Sequence, residues 1–250
     1  MTSTKNDNTS PGTLYGIGVG PGDPELIPLK SIRILQEVNV VFSASSSKND
    51  HSLAVTIAAR HLPETADVRL LPFPMTMNRE TVEQAWDEHA RTVIAVLEQG
   101  RDAAFLTLGD SLTYSTFGYL LRTIKKCAPH ITVRTIPGIT SYQAAAAATN
   151  TPLVEGEENL LLLSGVKGGN GLRDKIRHVD NVVFLKAYKN IKDIVASLKE
   201  AGQLKSSLAV VRCGFPEQKV YRDVTELVDS APKYWTLILS KKNPVYDPQS

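Results

Sequence analysis

Gly16-Ile17-Gly18-Val19-Gly20-Pro21-Gly22-Asp23-Pro24 is the stretch on which the reading of this chain turns. It follows the apolar run that begins at Thr13 and precedes an amphipathic stretch from Ile27, so it reads as a strand-to-helix connection. Its glycines invite a dinucleotide fingerprint, but the spacing fails in both frames. Counting from Gly16 puts Pro21 where the third glycine belongs, and counting from Gly18 puts Asp23 there. Asp23 and Glu25 also set carboxylates where a pyrophosphate needs bare N–H groups. No Gly-Lys-Ser/Thr follows, which excludes a P-loop. A nicotinamide oxidoreductase is disfavoured on these grounds. Two readings stay open for the loop alone. In one it is a tight turn, with glycine supplying positive φ and Asp23 capping a helix that starts near Pro24. In the other, backbone passes close to a ligand at the carboxyl end of the first strand, the usual binding edge of an open parallel sheet.

Working outward, short apolar runs alternate with longer amphipathic ones. Strands are expected at Thr13–Val19, Asn39–Ser43, Val68–Pro72, Ala103–Leu108 and Thr132–Ile136. Helices are expected at about Ile27–Glu37, Ser52–His61, Arg79–Gln99 and Ser115–Cys127. This alternation implies βαβ crossovers and a mostly parallel sheet covered on both faces. After Pro137-Gly138 the pattern changes. A helix through Ala144–Ala148 leads to strands at Asn159–Leu163, Val182–Lys186, Leu208–Cys213 and Tyr234–Ser240, with a shorter one at Lys219–Asp223. Less helix separates these, which suits a mixed sheet. The expected organisation is a disordered tail at 1–11, an α/β domain at 12–135, a second α/β domain at 136–243 and a tail at 244–250, with the active site in the cleft between the domains.

Composition narrows the function classes. At 250 residues the chain holds one or two domains of roughly 100–200 residues each. Its net charge of +2, from 28 basic and 26 acidic residues, is too balanced for a non-specific nucleic-acid binder. No apolar run approaches the ~18 residues of a membrane span, and no secretory h-region opens the chain. Cys127 and Cys213 form no CxxC and read as free thiols of a reducing, cytoplasmic compartment. The histidines at 51, 61, 89, 130 and 178 show no metal-ligand spacing, so no protein-bound metal is expected. His51 is the one to test, because it lies near the first domain's substrate edge.

Two further loops resemble the first. The strand Ala103–Leu108 runs into Gly109-Asp110-Ser111-Leu112-Thr113-Tyr114-Ser115-Thr116, and Ile136 runs into Pro137-Gly138-Ile139-Thr140-Ser141 ahead of the alanine run. Asp110 or Ser115 can cap a helix, or the same backbone and hydroxyls can bind a polar ligand such as an amino-acid moiety. The alanine run lets a helix sit close against a neighbour or a flat ligand.

Taken together, the three loops resemble the tetrapyrrole methylase family, the class III S-adenosylmethionine methyltransferases. The matching residues are Gly18-x-Gly20-Pro21-Gly22-Asp23-Pro24, Leu108-Gly109-Asp110 and Pro137-Gly138-Ile139-Thr140-Ser141. The likeness continues through Pro152-Leu153, Val182–Lys186 and Arg212-Cys213-Gly214, covering Leu14 to Lys241. Phe73-Pro74-Met75, the Trp86 helix, Tyr114-Ser115-Thr116 and Pro152–Glu158 are similar to the branch that methylates C20 of precorrin-2 or its cobalt chelate, cobalt-factor II. Ser111 stands where that branch usually has proline, which is expected to loosen the loop. The serine-rich Ser43–Ser47 segment is also less typical.

The resemblance implies an S-adenosylmethionine site made by Pro21, Leu108, Gly109, Asp110, Thr113, Ser115, Thr116, Thr140 and Ser141, with backbone around Lys186 and Gly214. It also implies a tetrapyrrole partner, a homodimer, and no nucleic-acid or membrane partner. Lys48, Arg79, Lys167 and Lys186 are candidates for the substrate's carboxylates. No catalytic base stands out. Other readings are methylation of a different tetrapyrrole carbon, of a modified histidine or of ribosomal RNA, and a non-catalytic nucleotide- or tetrapyrrole-binding module.

Overall fold

The computed structural model describes residues 10–46, 52–74, 76, 78–230 and 234–242. The chain divides between Ile139 and Thr140 into two compact units. In the first, β1 (Leu14–Gly18), β2 (Val40–Ser46), β3 (Asp67–Phe73), β4 (Ala103–Thr107) and β5 (Val133–Ile136) form one sheet in the order β3-β2-β4-β1-β5. Every pairing in it is parallel. The helices are α1 (Leu29–Glu37), α2 (Leu53–Ala58), α3 (Arg79–Leu97) and α4 (Phe117–Cys127). All five residues of β4 are buried, as a strand with both faces covered must be.

The strand order sets where a ligand can reach the sheet. From β1 the chain crosses toward β2 on one side, whereas from β4 it crosses toward β5 on the other. Neighbouring β1 and β4 therefore send their exits in opposite directions and leave a crevice at their carboxyl ends. Right-handed crossovers then assign α1 and α2 to one face, α3 and α4 to the other. The core of the second face bears this out: Trp86, Ala90, Val93 and Leu97 of α3 and Phe117, Leu120 and Ile124 of α4 pack on Phe42 and Phe105. Asn78 caps α3 by accepting from Thr81 N at 3.2 Å. The helix expected from Ile27 begins later: Asp23 caps a 3-10 turn at Pro24–Leu26, and α1 opens after Pro28.

The second unit holds α5 (Ser141–Ala148), β6 (Leu160–Ser164), α6 (Asn170–Arg173), β7 (Asn181–Leu185), α7 (Ile191–Glu200), β8 (Ser207–Val211), β9 (Lys219–Tyr221) and β10 (Thr236–Lys241). The sheet order is β6-β7-β10-β8-β9, with β6 and β7 parallel and the remaining pairs antiparallel. One parallel and one mixed α/β sheet are what the sequence pattern implied. Sequence reading missed α7, although Ile191, Ile194 and Leu198 stand at helical spacing and are buried. Ala145 is fully buried against Val183, Leu208 and Val210, a contact only a small side chain permits.

The tails expected at 1–11 and 244–250 lie outside the described residues, apart from Ser10 and Pro11, which are exposed. Among the described residues no helix is long and apolar enough to cross a membrane. Both cysteines are free, Cys127 exposed and Cys213 buried, and burial pushes the Cys213 thiol up to about 11. Since the thiolate is the nucleophile, the folded protein should show one fast-reacting thiol at pH 8 and two after denaturation. Two fast thiols in the native state would contradict the packing around Cys213.

Candidate functional site at the carboxyl edge of the parallel sheet

The exits of β1, β4 and β5 lie side by side, because β1 runs between the other two in register: Ile17 pairs with Leu106 on one side and Ile136 on the other. Past the strands, Val19 N donates to Thr107 O at 2.9 Å. Gly20 and Gly109 then exchange two bonds: Gly109 N to Gly20 O at 2.7 Å and Gly20 N to Gly109 O at 3.2 Å. The first two glycine loops are thus stitched together by backbone.

The glycines serve different ends. A Cβ on Gly138 would lie 2.2 Å from Gly109 O and 2.7 Å from Gly18 C, and one on Gly18 would lie 2.6 Å from Gly109 O. Gly18 and Gly138 are therefore required by loop-on-loop packing. Gly109 is different. It holds φ +72°, and a Cβ there would meet nothing nearer than Ile139 O at 3.9 Å. Its open Cα face is where a ligand could approach backbone, so the left-handed turn and the free space fit a cofactor cradle.

Asp110 organises this edge. Its Oδ1 accepts from Leu112 N at 2.9 Å, Thr113 N at 3.0 Å and Thr113 Oγ1 at 3.0 Å, while Oδ2 accepts from Gly138 N at 3.1 Å. Burial raises the carboxyl's pKa, but these bonds outweigh it and hold Asp110 below its ordinary value. The contribution is fully present above the unfolded value of 3.8 and is lost as pH falls through the still lower folded value. Ser111 was expected to loosen the loop, and the structure shows the reverse. It is fully buried, and its hydroxyl donates to Ile136 O at 3.1 Å. A buried hydroxyl without that partner would carry an uncompensated desolvation cost.

The other first-unit candidates gather nearby in sequence and along the same edge. Pro21 is buried in the β1 exit, and Leu108 is half-buried at the end of β4. Ser115 Oγ accepts from Phe117 N at 3.0 Å and shapes the entry to α4. Thr116 is the N-cap residue of α4, yet its hydroxyl makes no capping bond. In the second unit, Thr140 is buried and its hydroxyl is spent in a capping box, accepting from Gln143 N at 3.3 Å and donating to Gln143 Oε1 at 2.8 Å. Ser141 opens α5, half-buried. Lys186 (φ +57°) and Gly214 (φ +80°) occupy left-handed turns after β7 and β8, the two strands that flank β10.

Lys48 and His51 lie outside the described residues, as do Ser47 and Met75. Arg79 is exposed and tied to Glu83 at 2.7 Å, and Lys167 is exposed on a 3-10 turn. The Lys186 ammonium lies 5.8 Å from the Tyr234 ring centroid. His89 is buried, with Nε2 2.9 Å from Pro72 O. Among the described residues no three metal-ligating side chains converge.

The Tetrapyrrole (Corrin/Porphyrin) Methylases family model matches residues 13–228. A cobalt-precorrin-2 C(20)-methyltransferase of Salmonella typhimurium is 31% identical over 236 residues, 94% of this chain and 98% of that protein. The solved structure of a cobalt precorrin-4 methyltransferase is similar in fold, with a TM-score of 0.72 at 22% identity, covering 93% of this chain and 96% of the other. So is a uroporphyrin-III C-methyltransferase from Thermus thermophilus solved with S-adenosylhomocysteine, at TM-score 0.65 and 22% identity over 92% and 98% of the two chains. Those matches span the three loops and both sheets, and the chain belongs to the tetrapyrrole (corrin/porphyrin) methylase family.

Proposed function

We propose that this chain is an S-adenosylmethionine-dependent C-methyltransferase that methylates C20 of precorrin-2 or cobalt-factor II in cobalamin biosynthesis. The single observation that carries this reading is the 31% identity to a cobalt-precorrin-2 C(20)-methyltransferase along nearly the full length of both chains. The carboxyl-edge loops support it, because Gly109 leaves backbone open to a ligand in the same loop of the chain that carries Thr113, Ser115 and Thr116.

The chemistry asks for positioning more than for proton transfer at the bond-making step. The sulfonium supplies an activated methyl group: the bond from sulfur to methyl breaks, a carbon–carbon bond forms at C20, and S-adenosylhomocysteine and the displaced ring proton leave. The loops' part is to hold donor and acceptor in line, which supplies several kcal/mol of the barrier reduction. Fixing three loops by backbone bonds and glycine packing suits that task, since loose loops would dissipate it.

The test is incubation with methyl-labelled S-adenosylmethionine and each candidate tetrapyrrole, with the label located by carbon NMR. Label at C20 is the expected result. Label at another ring carbon would transfer the chain to a different branch, and no transfer together with no S-adenosylhomocysteine binding by calorimetry would sink the reading. A cytoplasmic homodimer belongs to the same proposal and predicts sedimentation at twice the chain mass; a monomer at micromolar concentration would refute that part.

A further inference from the structure

The second sheet ends in two polar residues on a face that is otherwise apolar. Leu237 and Leu239 of β10 and Val183 of β7 belong to the cluster that Ala145 of α5 packs on, and strand alternation puts Lys241 and Asn181 on that same face. The two stand opposite each other in register, with Leu160 of β6 beside Asn181. Lys241 is 5% exposed and Asn181 1%. Packing alone would fill both positions with aliphatic side chains, because a charge and an amide each carry a desolvation cost there.

What they hold is the segment that joins α5 to β6. Asn150 (φ +51°) ends α5, and Thr151 N donates back to Ala146 O at 2.9 Å. Leu153 then packs on the apolar cluster. Glu155-Gly156-Glu157-Glu158 closes a turn, in which Glu158 N donates to Glu155 O at 3.0 Å and Glu155 N to Glu158 Oε2 at 3.0 Å. The Lys241 ammonium lies 2.7 Å from Glu155 Oε2 and 3.5 Å from Glu158 Oε2. Asn181 Nδ2 donates to Glu158 Oε2 at 2.8 Å, while its buried Oδ1 has no partner among the described residues. An orphaned acceptor is a cost, which the bond to Glu158 offsets. The Asn181 amide, the Glu155 N–H and the Lys241 ammonium together hold the Glu158 carboxyl below its ordinary value, against its desolvation.

We propose that Lys241 and Asn181 form a latch that closes the 149–158 strap over the second sheet, and that the strap opens as one unit when the latch is broken. Neither end of the strap needs the latch. α5 is finished by its own cap at Asn150, and β6 is held by its ladder with β7. Between those fixed ends the strap is tied to the sheet by Leu153 and by the two glutamates. Breaking the latch therefore frees a short segment and leaves the strands beneath it paired, which is the form a local opening takes.

Residue-resolved amide hydrogen exchange on the full chain measures that opening. The Glu155 and Glu158 N–H groups, both bonded inside the turn, should exchange about 10- to 100-fold faster in Lys241→Met, the scale of one charge-assisted hydrogen bond. Met keeps the buried stem and removes the charge that both glutamates face. Asn181→Leu should speed the same two amides about tenfold, on the same scale. Amides of the ladder, such as Val183 and Leu239, should stay within about twofold of wild type. The test needs neither donor nor tetrapyrrole, so its outcome is separate from that of the methyltransferase reading.

Unchanged exchange at Glu155 and Glu158 in Lys241→Met would overturn the latch. Strap and ladder amides rising together would show that Lys241 only supports the packing of the whole unit, and would overturn it as well. Faster exchange at one of the two glutamates without the other would overturn opening as one unit. Glu155→Ala carries the test if Lys241→Met does not fold, because it breaks the 2.7 Å ion pair from its more exposed side. It should speed Glu158 exchange about tenfold, and an unchanged rate in that folded variant would again overturn the latch.

Discussion

Gly138→Ala is expected to destabilise the first unit by on the order of 3 kcal/mol and to abolish S-adenosylhomocysteine binding. The added carbon would sit 2.2 Å from Gly109 O, 2.7 Å from Gly18 C and 2.8 Å from Gly18 Cα. All three are backbone atoms, so no side chain can swing away, and the cost lies at or above the upper end for overpacking. Relief requires moving the Gly109 turn, which is bonded to Gly20, or the β5 exit, which Asp110 and Ser111 hold. Two other glycines calibrate the claim. Gly109→Ala has space but must adopt φ +72°, at a cost of about 1–2 kcal/mol. Gly118→Ala, in the first turn of α4 with nothing within 4 Å, should be neutral or stabilising by about 0.5 kcal/mol. Urea unfolding can be followed by Trp86 fluorescence in a Trp235→Phe background, which reports on the first unit alone. If Gly138→Ala is milder than Gly109→Ala, the packing account of Gly138 is wrong.

That contrast marks what was legible in the sequence. Inner strands such as β4 were readable because both faces are covered, which leaves a continuous buried run at Ala103–Thr107. Their order was not. Nothing in Leu14–Gly18 states that its neighbours are β4 and β5, 89 and 119 residues onward at Ala103 and Val133 in register with Leu14. Pairing is a long-range choice made by shape and hydrogen bonding, and it is this choice that brings three separate glycine loops to one edge. The loops could be recognised as unusual one by one, yet the reason for each glycine could not. Gly18 and Gly138 answer to one another, whereas Gly109 answers to its own φ and an open face. Ser111 shows the same limit from the other side. A serine in a loop reads as a loosening residue until its burial and its bond to Ile136 O are known. The helix at Ile191–Glu200 was missed for a simpler reason: ten residues carrying four charges look like a connector unless the spacing of Ile191, Ile194 and Leu198 is counted.

Phe117→Ala should be among the costliest single truncations in the first unit, at about 3–5 kcal/mol. Phe117 is fully buried at the first position of α4, with its ring centroid 5.8 Å from that of Phe105. Across the interface it meets β1 at Gly16, where a Cβ would come within 2.1 Å of the Phe117 ring. The glycine on the strand and the ring on the helix thus share one volume, and they should behave as a coupled pair. Gly16→Ala alone forces the ring off its seat and should cost roughly 2 kcal/mol. In a Phe117→Leu background the same alanine has room beside a smaller, more adjustable side chain, so its cost should shrink or change sign. A double-mutant cycle ought to give a coupling of about 1–3 kcal/mol, the range found for residues in direct contact. The functional consequence follows from position. Phe117 N is the donor that Ser115 Oγ accepts from, so displacing the ring also disturbs the entry to α4 beside the Asp110 turn. Phe117→Leu should therefore weaken S-adenosylhomocysteine binding, and adding Gly16→Ala should restore part of it. Additive stabilities in the cycle would show that Gly16 is glycine for some reason other than the ring it faces.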